Sequence, residues 1–158
     1  MQLSNSFSLS QLVFSETAIR KGISNDPSPE QIENLTELAM ALERVVQLLG
    51  FPIVIHSAFR SAKLNAAIGG SPRSAHMDGY AADFTCREFG SPLEVCKAIA
   101  GSDITFDQVI AEGIDSPWGG WAHISIAPAL RNETLTARFE DGRATYTAGL
   151  GEKLSRIA

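Results

Sequence analysis

Apolar residues recur every three or four positions along residues 28–50: Ile32, Leu35, Ala39, Leu42, Val46 and Leu49. That spacing predicts one apolar stripe on an α-helix. Ser28 stands at its N-cap, Pro29 at the first helical position and Gln31 at the third, and Gly50 closes it after about 21 residues. Too few heptads are present for a coiled coil, so the stripe reads as the face of a core helix. Ser8-Leu-Ser-Gln11 has the form of a capping box and predicts an earlier helix to about Arg20, broken by Gly22 and the run Asn25-Asp-Pro-Ser-Pro29. Residues 61–68 predict a short helix. Ser91-Pro92 starts another, with Leu93, Val95, Cys96 and Ile99 as candidate core positions.

The remaining apolar runs are short and strand-like. Phe51–Ile55, Tyr80–Phe84, Phe106–Ala111 and Trp121–Ile126 predict four strands, separated by the loop at Gly69-Gly70-Ser71-Pro72 and the turn-rich stretch Asp115–Gly120. Thr134–Phe139 and Ala144–Thr147 predict a terminal hairpin around Asp141-Gly142. The order implies an α+β fold: N-terminal helices packed on a small, mainly antiparallel sheet, one domain over residues 1–158.

Composition narrows the function without naming it. The chain has 158 residues, 44% apolar and 20% charged, enough for one real core. A net charge of −5 with scattered Lys and Arg makes no electrostatic case for nucleic acid or an anionic membrane. No apolar run reaches the roughly 20 residues that span a bilayer. Met1-Gln-Leu-Ser-Asn-Ser-Phe7 lacks the basic and apolar regions of a signal peptide, so cytoplasmic synthesis without a signal peptide is the expectation. Cys86 and Cys96 form neither a disulfide framework nor a Cys-x-x-Cys unit, and read as two free, partly buried thiols.

The candidate chemistry lies in two stretches, Ser74-Ala-His76-Met-Asp-Gly79-Tyr-Ala-Ala-Asp83 and Trp121-Ala-His123-Ile-Ser125. His76, Asp83 and His123 together offer two imidazoles and a carboxylate. Three such ligands on one zinc ion leave a fourth position for water, the arrangement of a catalytic site. His76 and Asp83 are too far apart for one helix face. The segment Met77–Gly79 must fold back so that a loop histidine meets a strand aspartate, and Gly79 suits that turn. Asp78 is a candidate acceptor for an imidazole N–H, or a simple turn acid. His56 reads as a strand residue near the rim.

Ser-x-His-x-x-Gly-x-Ala-x-Asp followed by Trp-x-His-x-Ser resembles the M15 zinc peptidases, which act on peptidoglycan stem peptides as D-Ala-D-Ala carboxypeptidases or L,D-endopeptidases. Ser57-Ala-Phe-Arg60-Ser61 followed by Asn65 is similar to that family's Arg-containing segment, and Gly69-Gly70-Ser71 also fits. The likeness runs from about Phe7 to about Ile126 and is nearest to the short, single-domain, phage-associated branch. It implies a hedgehog/D-Ala-D-Ala peptidase-like fold and one Zn2+ per chain. It gives Arg60 the role of stabilising charge on the scissile carbonyl, against the plain reading of a surface ion pair. Ser74 would hold substrate or simply brace the His76 turn. Trp121 would floor the groove or edge the core.

One position departs from the pattern. Many members carry Glu three residues before the last His, where this chain has Gly120. The upstream acids are Glu112 and Asp115. Glu112, at the end of a predicted strand, is the first candidate for general acid/base and Asp115 the second. The reading is therefore a zinc peptidase acting on peptidoglycan stem peptides in phage-related cell-wall degradation, reaching the wall after release or on a phage particle, with a monomer as the expected state. The missing Glu at position 120 motivates an alternative: a zinc-containing binding or structural module that has lost hydrolysis.

Overall fold

The computed structural model describes residues 1–151. Five helices and six strands follow in the order α1 (Leu9–Val13), α2 (Glu16–Lys21), α3 (Pro29–Leu49), β1 (Val54–Ser57), α4 (Ala62–Ala67), β2 (Ala81–Thr85), α5 (Pro92–Ala100), β3 (Gln108–Glu112), β4 (Trp121–Ser125), β5 (Glu133–Glu140) and β6 (Arg143–Ala148). A single 3-10 turn, Ala75–Asp78, precedes β2. The fold is α+β, with one mixed six-stranded sheet in the order β1-β2-β4-β3-β5-β6. All its pairings are antiparallel except β3 with β5, which run parallel. No helix among the described residues is long and apolar enough to cross a membrane.

The capping signals locate the helices. Ser8 and Gln11 form the expected box, as do Ser28 and Gln31, where Pro29 opens α3 and Gly50 closes it in the left-handed conformation. The first helix does not run to Arg20. It stops at Phe14, and Ser15 caps a second one by accepting from the Ala18 N–H. The serine side chain offers the backbone a competing partner and so restarts the helix. The buried stripe of α3 is Leu35, Leu38, Ala39, Leu42, Val45 and Leu49, while Ile32 and Val46 lie at its margin. β1 begins at Val54, later than the predicted Phe51, because Pro52 has no N–H to give to a ladder.

Alternation divides the sheet into two faces. Ala82, Phe84, Val109, Ala111, Ala122 and Ile124 point to the helices and join Leu35, Leu38, Leu42, Val95 and Ile99 in one core. Asp83, His123 and Glu112 alternate with these and face the other side. Cys86 and Cys96 are free and buried in that core, and burial together with the charge of Glu112 pushes the Cys96 thiol up to about 12. At the far edge, Asp141 (φ +50°) and Gly142 (φ +75°) make the tight turn between β5 and β6.

Candidate active site

Asp83 and His123 sit directly opposite each other on β2 and β4. His123 Nδ1–H donates to Asp83 Oδ1 at 2.9 Å. His76 comes from the 3-10 turn, where Ser74 Oγ accepts the His76 backbone N–H at 3.2 Å. Its Nε2 lies 3.3 Å from the same Asp83 oxygen. The two rings meet edge to face with centroids 5.2 Å apart. One ligand atom from each of His76, Asp83 and His123 falls within 4.8 Å of the others. The turn that makes this possible ends at Gly79, with φ +83°, where a Cβ would stand 2.9 Å from the Gln31 carbonyl oxygen. A side chain there would strain the turn and push α3 away.

The donors suit a zinc ion on grounds beyond proximity. His76 Nδ1 lies 2.6 Å from the Ala58 carbonyl oxygen, which can only accept, so Nδ1 carries a proton and Nε2, on the Asp83 side, is the nitrogen that would face a metal. A metal-ligating imidazole is held in this way by a backbone acceptor. That acceptor is the Ala58 carbonyl and not Asp78, whose side chain is exposed. Burial raises the Asp83 carboxyl, but the charge of His76 and hydrogen bonds from both imidazoles outweigh it and hold the group well below the usual carboxylate range. Two imidazole nitrogens and an ionised carboxylate form a donor set that zinc takes.

Glu112 ends β3 opposite Trp121, and its Oε1 lies 3.7 Å from His123 Nδ1. Burial, then the nearby charge of Asp83, push its carboxyl up to about 7, against the pull of His123 and Arg60. Asp115 is placed differently: it is 63% exposed and binds Arg138 at 2.8 Å. Position 120 cannot carry the acid. Gly120 has φ +74°, and a Cβ there would overlap the Glu112 carbonyl oxygen and Gly113. The backbone that rules out a side chain at 120 leaves Glu112 as the acid beside His123.

Arg60 approaches from the β1 side. Its backbone N–H donates to the His76 carbonyl at 3.1 Å, and its Nη2 donates to Ser74 Oγ at 3.3 Å. Ser74 thus braces both the His76 turn and the arginine. Arg60 Nε is buried with no hydrogen-bond partner among the described residues. Burial lowers the guanidinium, while Asp83 and Glu112 favour its charge. A buried donor left unpaired is held for something the protein binds. Asn65 braces the loop before the turn through the Ser71 carbonyl at 2.9 Å. His56 stays at the rim on Thr85 Oγ1, 2.8 Å away.

Trp121 packs its ring against Phe139 of β5, centroids 5.7 Å apart; its Nε1 is buried with no well-formed hydrogen bond among the described residues, close enough to Glu112 to favour the ionised acid. Sequence reasoning missed the part of Phe139 and Tyr146. Glu112 lies beside Ala137, and Ala137 beside Tyr146, so the hairpin brings both aromatic residues to the acid. The pairing of β3 with β5 carries this arrangement, and no local pattern announces it.

Two imidazoles, a carboxylate and an adjoining protonatable acid gathered over one sheet face are the equipment of a metallopeptidase. The family model for Peptidase M15 matches residues 5–114, and the chain belongs to that family, whose members are zinc-dependent peptidases. The match covers His76, Asp83, Arg60 and Glu112. His123 and Trp121 lie beyond it and join the site through the β2–β4 and β3–β4 pairings. No curated protein matches the chain.

Proposed function

We propose that this peptidase is zinc-dependent and cleaves peptide bonds in peptidoglycan stem peptides, as a D-Ala-D-Ala carboxypeptidase or an L,D-endopeptidase. The observation that carries the reading is the meeting of His76, Asp83 and His123 beside Glu112. His76, Asp83 and His123 would hold one zinc ion per chain. Bound there, zinc supplies a Lewis acid that polarises the scissile carbonyl and activates water.

The chain's own groups supply the rest. Glu112, ionised, takes a proton from the attacking water at its carboxylate and passes it to the leaving amine. Burial and Asp83 raise its carboxyl in the metal-free site, and an acid held above its ordinary value both accepts and releases a proton readily. Arg60, whose buried Nε–H has no partner among the described residues, would donate to the oxygen on which negative charge develops. Ser74 holds Arg60 and the His76 turn in register. Trp121 lines the groove beside Glu112. Action on the wall fits a phage-associated enzyme that arrives after release or on the particle.

The test is release of peptides or D-Ala from purified peptidoglycan by zinc-loaded protein, with wild type beside Glu112→Gln. Wild-type release that the substitution abolishes supports the reading. Release that survives Glu112→Gln unchanged removes Glu112 as the base. No release from the zinc-loaded wild type favours a binding module instead.

A further inference from the structure

The site's parts stand in line across the sheet. Asp83 lies on β2, His123 on β4, Glu112 on β3 and Tyr146 on β6, with only Ala137 of β5 between the last two. Arg60 stands at the opposite end, following β1. A peptide laid across the strands therefore meets Arg60 first, then the His–Asp–His cluster, then Glu112, then Tyr146. Glu112 must reach the leaving amine, so the leaving-group half of the peptide lies on the Tyr146 side.

Tyr146 is built for contact there. Ala137, too small to cover itself, is fully buried on this face, with Phe139 and Tyr146 as same-face neighbours. Tyr146 is nevertheless 54% exposed. Burial, Glu112 and Asp83 all push the phenol above its ordinary value, so it stays a neutral donor. A neutral O–H on this face can give a hydrogen bond to a peptide carbonyl or carboxylate and is not lost as phenolate at working pH.

We infer that Tyr146 is a substrate-positioning residue: its phenolic O–H donates to the leaving-group residue of the peptide, over the wall made with Trp121 and Phe139. The inference rests on the peptidase reading above and adds the direction in which the substrate lies. The bond would form alike in the ground and transition states, so its loss raises KM and leaves kcat in place.

Two arms of one experiment test it on the full chain. In the first, zinc-loaded wild type and Tyr146→Phe hydrolyse a synthetic stem pentapeptide ending in D-Ala-D-Ala and peptides released from purified peptidoglycan. The expected result is a KM raised about three- to ten-fold, the worth of one neutral hydrogen bond, with kcat and the acid limb of the pH profile unmoved. A merely structural tyrosine would instead lower kcat or move that limb through Glu112. In the second arm, binding of the pentapeptide to Glu112→Gln is titrated with and without Tyr146→Phe, so no turnover is needed. Weaker binding without the hydroxyl sustains the inference even where wild type proves inactive and the peptidase reading fails. Equal affinity in this arm, or an unchanged KM in the first, overturns it.

Discussion

Glu112 carries two opposed demands at one atom pair. Its carboxyl is buried beside Asp83, which pushes it up to about 7 from an ordinary 4.5, yet it must be ionised to accept a proton. A bound dication pulls it back down, so the acid limb of kcat/KM for the zinc-loaded enzyme is predicted to fall between 4.5 and about 7. Without metal the same shift appears as stability. A carboxyl whose folded pKa is raised stabilises the fold fully below the unfolded value and loses that contribution as pH climbs through the folded one. In metal-free protein, Glu112→Gln should therefore raise stability at pH 8 by roughly 2–3 kcal/mol and do little near pH 4, as urea unfolding at the two pH values would measure. Equal effects at both would mean that Glu112 is not buried as described. In the loaded enzyme the same change should cut kcat by about 10²–10⁴-fold while zinc content stays constant. At Gly120, alanine should destabilise by about 1–3 kcal/mol, since it forces a side chain onto a positive-φ position against the Glu112 carbonyl.

At this scale the sequence disclosed donors better than acceptors. His76, Asp83 and His123 were legible because residue type and order carry the chemistry. The Ala58 carbonyl that fixes the His76 tautomer was not, because every residue has a carbonyl and only the fold says which one meets an imidazole.

The elements follow the same logic. α3 was readable from end to end, because its cap, its opening proline, its stripe and its closing glycine all agree. Ser28→Ala is predicted to lower stability by about 1 kcal/mol, seen as a lower urea midpoint with an unchanged slope. The helix predicted from Ser8 to Arg20 was divided because the weak signal, Ser15, competes only through its side chain. The C-terminal hairpin was legible from Asp141-Gly142, but its neighbour was not. β5 lies parallel to β3, some 25 positions earlier by register, and that pairing depends on the whole sheet. Tyr146 and Phe139 therefore escaped notice, although both border the acid.

For the whole molecule, one sheet separates two jobs. Its helix-facing side buries Phe84, Val109 and Ile124, and its other side gathers the ionisable groups. The cluster links the 3-10 turn to β2 and β4, so a ligand held there ties three segments that are distant in sequence. Binding to the folded state alone stabilises by about 2.7 kcal/mol at one hundred times the dissociation constant. Chelation is accordingly predicted to lower Tm by several degrees, and zinc to restore it; a Tm indifferent to both would speak against a built metal site.

The most direct measurement joins metal content to chemistry. Purified protein is analysed for zinc, then incubated with purified peptidoglycan with and without chelator, and the released products are identified. The account predicts one zinc per chain and chelator-sensitive release, with free D-Ala marking a carboxypeptidase and a larger peptide an endopeptidase. Protein that takes up no zinc even when it is offered would contradict the assignment of His76, Asp83 and His123, and the proposed mechanism with it.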